Sequence, residues 1–172
     1  VTFDENTPQL KVSQIINDHR GIEDLKTGTL RMTNNEVFKE DPLRILRAVR
    51  LAAKYDLKID EATKNQIEKS NILVSKISGE RVREEFLKLL SMENTVANLK
   101  TLDELGILTN IIPELEACRK TEQNIAHHWK VLDHMLETAG QVENIVTGRL
   151  INTGPFPEFI ADYIPITDLH KD

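Results

Sequence analysis

Asp41 and Arg44 stand three residues apart at the start of a stretch whose apolar residues recur at helical spacing, so the two side chains share one helical turn. A carboxylate only accepts hydrogen bonds and a guanidinium only donates them. Cytosine and adenine each carry an exocyclic amine donor beside a ring-nitrogen acceptor on the Watson–Crick edge, whereas uracil and guanine carry a carbonyl beside a ring N–H. One Asp–Arg pair can therefore accept C and A and oppose U and G, whose groups of the wrong polarity would be left unpaired. The plainer reading is that Asp41 caps its helix and Arg44 pairs with Glu40 or Asp41. Spacing alone favours that plainer reading.

The pair opens a basic stripe. At 100° per residue, Arg44, Arg47, Arg50 and Lys54 fall within about a third of the helix circumference. Three of the four are arginine, whose planar fork suits phosphates and base edges, and the stripe starts at a helix N-terminus, where the macrodipole favours anions. A solvated face is the ordinary account of such a stripe. The whole chain carries −6, yet residues 38–54 carry +3, so the overall acidity does not exclude a local nucleic-acid surface.

The elements that must position these residues are mostly helical. Asp41-Pro42 reads as an N-cap followed by proline at the first helical position, and Leu43, Leu46, Val49 and Ala53 follow, widened by Ala48 and Ala52. A second helix is predicted from Asp60 through Ile67. A third follows Ser78, with Val82, Phe86, Leu89 and Leu90 on one face, and a fourth runs from near Asn94 to Gly106. A fifth starts at Asn124, carries Trp129, Leu132 and Leu136, and is stopped by Gly140. Phe156, Phe159, Ile160 and Tyr163 suggest one more amphipathic turn. Residues 1–35 differ: Leu10, Val12, Ile15 and Ile16 form a short apolar stretch, Thr29–Met32 a second, and Gly21–Gly28 between them a helical turn stopped by glycine. Two strands alone are marginal, so this end is expected to join a sheet completed by strands outside the chain. The fold class predicted is all-α, a multi-helix array with a short β-containing N-terminal stub.

Composition agrees with that class. The chain has 172 residues, 40% hydrophobic and 29% charged, enough for one folded domain and too apolar for a disordered one. Seven glycines and 5% aromatics favour helices over a β-sandwich or barrel. No apolar run approaches a membrane span and no leader is visible. One cysteine, Cys118, excludes an internal disulfide and a multi-cysteine zinc site and fits a reducing cytosol, so a cytoplasmic location is expected. The first residue is Val1, as in a fragment or a processed product.

Glu40-Asp41-Pro42-Leu43-Arg44-Ile45-Leu46-Arg47-Ala48-Val49-Arg50 resembles the signature of bacterial tRNA nucleotidyltransferases (CCA-adding enzymes) and the related bacterial poly(A) polymerases, and the likeness continues through Leu51–Ile59. Gly21-Ile22-Glu23-Asp24-Leu25 with Leu30-Arg31, the segment Ser78–Phe86, and Leu102–Leu108 followed by Ile112–Leu115 are also similar to the family, so that residues 15–136 are covered in order. The resemblance implies a remnant of the catalytic head over 1–35, a neck with nucleotide-base and RNA-binding helices over 36–92, and a helical body with an HD-like segment over 93–172. It implies that Asp41 and Arg44 pair with the incoming base, that Glu40 orients Arg44, that Arg47 and Arg50 extend the nucleotide-binding surface, and that the Glu80–Phe86 helix packs near the first helix and holds it. Glu84 and Glu85 are expected in ordinary salt bridges. CTP and ATP are the implied substrates, RNA and above all the tRNA 3′ end the implied partner, and Mg2+ the implied cofactor, bound by head carboxylates upstream of the matched segment. CCA addition, A-only addition and polyadenylation remain open, as does the oligomeric state.

His127, His128 and His134, with Asp133, fall on the fifth predicted helix and resemble the opening of an HD-type phosphohydrolase region. His127 and His134 are the metal-ligand candidates. The order at the key position is Asp-His rather than His-Asp, and a competent site needs convergent, supported ligands, so packing or hydrogen-bonding histidines are preferred. An HD-like metal-dependent phosphohydrolase and a non-catalytic helical interaction module are the alternatives to base selection and RNA binding within a nucleotidyltransferase. Because no Asp-x-Asp strand occurs in residues 1–35, the purified chain is expected to transfer no nucleotide. Addition of C or A to a tRNA 3′ end by this chain alone, followed with radiolabelled CTP or ATP, would refute that.

Overall fold

Apolar residues every three or four positions after Phe38 resolve into a succession of short helices in the computed structural model, which describes residues 19–121 and 130–147. In chain order they are α1 (Gly21–Lys26), β1 (Thr29–Leu30), α2 (Val37–Glu40), α3 (Leu43–Tyr55), β2 (Lys58–Ile59), α4 (Glu61–Ser70), a 3₁₀ segment Asn71–Lys76, α5 (Gly79–Leu90), α6 (Thr95–Glu104), α7 (Leu108–Ile111), α8 (Glu114–Lys120) and α9 (Val131–Val146). The all-α class is what the structure has. No helix among the described residues is long and apolar enough to cross a membrane.

The β element differs from expectation. Thr29–Leu30 pairs in parallel with Lys58–Ile59, in the register Thr29 to Lys58 and Leu30 to Ile59. The partner thus comes from within the chain, just after α3. The Lys58 N–H donates to the Gly28 carbonyl at 2.8 Å and the Asp60 N–H to the Leu30 carbonyl at 3.1 Å. Gly28 makes the preceding turn at φ +62°, where a side chain would be strained. The Arg31 guanidinium then joins the two ends of this junction, reaching Asp24 at 3.0 Å and Asp60 at 2.6 Å. Asp60 also caps α4, accepting from the Thr63 N–H at 3.1 Å, as the sequence suggests. The apolar stretch Leu10–Ile16 and the turn at Phe156–Tyr163 lie outside the described residues.

The core is built around α3. Ile45, Leu46 and Val49 are buried together with Phe38, Leu43, Ile67, Val74, Leu89, Leu102, Leu105, Ile107 and Leu108 in one apolar cluster. On α3, Leu43, Leu46, Val49 and Ala48 are buried as the sequence reading has them, and two positions differ: Ile45 is fully buried, whereas Ala53 is exposed. An alanine late in the helix leaves little apolar area to hide, and the isoleucine takes the inward position. α3 packs on α5 and α6, α6 on α9, and α8 on α9.

The last helix departs from expectation in its end. α9 passes Gly140 and continues to Val146, while Asn124 and Trp129 lie outside the described residues. Gly140 lies inside the helix beside α6, where a Cβ would meet the Val96 side chain at 3.5 Å, an ordinary contact. One turn later, Glu143 reaches the start of α6, its carboxylate accepting from the Thr95 N–H at 2.7 Å and the Val96 N–H at 3.2 Å. Both are amides that the first turn of a helix leaves unpaired. Leu132 and Leu136 are buried, as predicted.

The two glycines next to α6 have opposite tolerances. At Gly106, with φ +65°, a Cβ would lie 2.6 Å from Asn71 Nδ2, and that amide donates to the Leu105 carbonyl at 3.0 Å. Gly106→Ala is therefore expected to destabilise by about 1–2 kcal/mol through left-handed strain and the lost bond. Gly140→Ala meets only ordinary van der Waals contact and is expected to be neutral or to stabilise by up to about 1 kcal/mol. Urea unfolding of the two variants checks both signs.

Candidate functional site

Asp41 is the extended residue between α2 and α3, at φ −144° and ψ 99°. Its carbonyl accepts the Arg44 N–H at 3.0 Å, and its carboxylate accepts the Leu43 N–H at 3.2 Å, so it caps α3 as its position predicts. The carboxylate has a second partner from another helix. Arg81 Nη2, at the start of α5, lies 3.1 Å from each of its oxygens.

Arg44 is held from the other side. Its Nη1 donates to Glu40 Oε2 at 2.8 Å and to the Val37 carbonyl at 3.2 Å, the one-turn pair that both the plainer reading and the resemblance expect. An exposed pair at this spacing adds only about 0.3–0.5 kcal/mol; its effect is to aim the guanidinium. The Arg44 side chain is 43% exposed and that of Asp41 24%. Neither is interred in the apolar interior. The carboxylate takes its ionic partner from Arg81 and the guanidinium takes its own from Glu40, and both side chains keep part of their surface open at the start of α3.

Farther along the stripe the residues divide. Arg50 Nε donates to Glu85 Oε2 at 2.7 Å, and Arg47 Nε lies 3.5 Å from Glu85 Oε1, as does Lys88 Nζ. Arg50 is mostly covered, at 19% side-chain exposure, whereas Arg47 stays open at 45%. Arg50 thus ties α3 to α5, and Arg47 keeps one flank to solvent. Glu85 itself is only 5% exposed. Burial pushes its carboxyl up, but the Arg50 hydrogen bond and the attraction of Arg50, Lys88 and Arg47 outweigh that and hold it below the usual carboxylate range. Of the two glutamates expected in salt bridges, Glu85 makes them; Glu84 is exposed and makes none among the described residues.

Sequence reasoning gave Arg81 no role, although it makes the long-range contact that steadies Asp41. The available signal was a basic residue in the first turn of α5, where a helix gains nothing from a cation. For Glu85 the signal was its place on the inward line of Val82, Phe86 and Leu89.

His134 lies half-buried on α9, and His127 and His128 lie outside the described residues. Among the described residues no group of three or more His, Cys, Asp or Glu is placed to hold a metal ion.

A family model described as "Probable RNA and SrmB- binding site of polymerase A" matches residues 56–119. The CCA-adding enzyme of Limosilactobacillus reuteri (strain DSM 20016) is 38% identical over 136 residues, covering 72% of this chain and 34% of that protein. Poly(A) polymerase I of Haemophilus influenzae is 34% identical over 99 residues, covering 56% and 22%. Among solved structures, a CCA-adding enzyme with CTP superposes with a TM-score of 0.62 at 23% identity, over 91% of this chain and 35% of that one. The Thermotoga maritima CCA-adding enzyme complexed with tRNA gives 0.60 at 23%, over 90% and 35%. These two likenesses concern the fold. The chain spans about a third of the length of the L. reuteri relative.

The Glu85 clasp makes a pH-dependent contribution with a definite sign. A carboxyl held below its unfolded value, about 4.3, stabilises fully above that value and loses its contribution as pH falls through the native one. Glu85→Gln is expected to cost about 2 kcal/mol at pH 7 and to flatten the fall of stability between about pH 5 and 3. Urea unfolding at stepped pH checks this; a variant as acid-sensitive as the parent would refute it.

Proposed function

The chain belongs to the family of bacterial tRNA nucleotidyltransferases (CCA-adding enzymes) and poly(A) polymerases, and we propose that it supplies base selection and RNA binding to an enzyme that adds CMP or AMP from CTP or ATP to RNA 3′ ends, those of tRNA first. The observation that carries this reading is that Asp41 and Arg44 both reach solvent at the opening of α3, 24% and 43% exposed, each ion-paired with a different residue, Arg81 and Glu40. Asp41 accepts the exocyclic amine of cytosine or adenine, and Arg44 donates to the adjacent ring nitrogen. Glu40 and Arg81 fix the two polarities, so uracil and guanine meet acceptor against acceptor and donor against donor. Arg47, 45% exposed on the same helix, extends this surface, and Arg50 holds that helix to α5.

Residues 36–92 serve in this reading as the neck that reads base and RNA, between the end of a head (1–35) and a helical body (93–172). The described residues do not fit Mg2+, since no carboxylate cluster among them could hold it, and no step here runs through a metal. The 172-residue chain contributes selection rather than transfer, and its site of action is the cytoplasm.

Calorimetric titration of the chain with the four nucleoside triphosphates tests the pair. CTP and ATP are expected to bind more tightly than UTP and GTP, and Arg44→Ala to weaken both by about tenfold, the loss of one charged hydrogen bond. Asp41→Asn, which adds a donor where only acceptors stood, is expected to narrow the gap between CTP and UTP. Equal affinities for all four nucleotides, or full CTP affinity in Arg44→Ala, would overturn the reading.

A further inference from the structure

The start of α3 carries Asp41 and Arg44; its far half walls a cavity. Val49, Ala52, Leu57, Ile59 and Leu105 give that cavity apolar sides between α3, β2, α4 and α6, and its volume is about 320 Å³. This is room for about ten liquid waters, at the small end of the range for ligand pockets. The polar lining is Asp56, Lys64, Asn98, Thr101 and Glu104.

Asn98 is 8% exposed, and its Nδ2 is the one buried side-chain polar atom without a hydrogen-bond partner among the described residues. Asparagine is a weak helix former, and a buried amide donor without an acceptor costs stability outright. Neither propensity nor packing therefore accounts for it in the middle of α6. Asn98, Thr101 and Leu105 share one face of that helix at i, i+3 and i+7, and all three line the cavity. The acceptor that the amide lacks has its place there.

The charges around the cavity are unmatched as well. Lys64 lies near the start of α4, Asp56 just past the end of α3, and Glu104 at the end of α6. Among the described residues no ion pair joins the lysine to either carboxylate. They line one space without neutralising one another, and a molecule with charges of both signs can span such a gap. The C-termini of α3 and α6 add partial negative charge on the side of Asp56 and Glu104. Thr101 Oγ1 donates to the Ala97 carbonyl at 3.0 Å, which leaves its lone pairs as acceptors on that same side. A cationic group is thus favoured toward Asp56, Glu104 and Thr101, and an anionic one toward Lys64 and Asn98. Two carboxylates against one lysine oppose a phosphate chain.

We propose that this cavity binds a free aliphatic α-amino acid. Lys64 and the Asn98 amide take its carboxylate, Asp56 and Glu104 take its ammonium, and Val49, Leu57 and Ile59 enclose its side chain. The site stands apart from the base-selecting pair at the other end of α3 and does not depend on it.

The test uses the 172-residue chain labelled with nitrogen-15 and follows the Asn98 side-chain amide by NMR as L-leucine is added. A saturable shift is expected. Isocaproate, which is leucine without its amine, and isoamylamine, which is leucine without its carboxylate, are each expected to bind about tenfold more weakly, the loss of one charge-assisted bond. Lys64→Gln, at a half-buried position, is expected to weaken L-leucine about tenfold and to leave isoamylamine as in the parent. Asn98→Leu, followed through the backbone amides of Leu57 and Ile59, is expected to abolish the response. Lys76→Gln, at an exposed lysine outside the cavity, is expected to match the parent. No saturable shift up to about 50 mM L-leucine, equal binding of the three probes, or a parental response in Lys64→Gln or Asn98→Leu overturns the site. A nuclear Overhauser effect from the Asn98 amide to a long-lived water that persists at the highest L-leucine concentration overturns it in favour of a hydrated cavity.

Discussion

A single carboxylate, withdrawn from water and surrounded by three cations, sets the relation between the two helices on which everything functional sits. Glu85 rises from the inward face of α5 and takes Arg50 by a hydrogen bond, with Arg47 and Lys88 in ionic reach. Apolar packing is not directional, so Leu46, Val49 and Leu89 alone would leave some freedom for one helix to slide or turn on the other. A charge-assisted bond of defined length removes that freedom. Burying the charge costs free energy that the attraction offsets only when the geometry is good; here the lowered carboxyl shows that it does, and the clasp fixes a register as well. The same helix delivers Arg81 to Asp41. α5 thus grips α3 at its opening and at its middle, and the Asp41 carboxylate is steadied by a partner outside its own helix.

The helical array was largely legible in the sequence, because capping residues and helical periodicity are local signals. Asp60, Ser78 and Asn94 each stand directly before a helix, and Gly106 follows one. Where the reading slipped, the deciding contact was distant in sequence. Gly140 looked like a stop because glycine lowers helix propensity, but α9 continues through it, held by its packing on α6 and α8. The partner of β1 was sought outside the chain because a two-residue strand at Lys58–Ile59 carries no alternating pattern. Of the site, the Glu40–Arg44 bond could be anticipated from spacing, whereas Arg81 to Asp41 spans 40 positions and leaves no periodic trace. The roles of Arg47 and Arg50 were read together from one stripe, yet only the fold separates the covered residue from the open one.

Net charge illustrates the same limit. A value of −6 for the chain conceals two unlike regions. One carries arginines and lysines along α3 and α5, and the other carries carboxylates between α6 and α9. Sorting of this kind gives a molecule a strong local field without a large total charge, and an electrostatic partner is then both attracted and oriented. The acidic region also contains its own internal pairings: Arg119 with Asp103 and Glu116, and Lys100 with Glu137. Its charge is thereby partly spent on joining helices.

The carboxylate of Glu143, seated on the first amides of α6, has a practical bearing on how the molecule can be divided. The match to the family model closes at residue 119, which invites a cut there. Such a cut would strip the Thr95 and Val96 N–H groups of their acceptor and lay bare the side of Val96 against which Gly140 rests. A piece that keeps these contacts is therefore longer than the family-model match, and its C-terminal limit is set by an amide pair nearly fifty positions upstream.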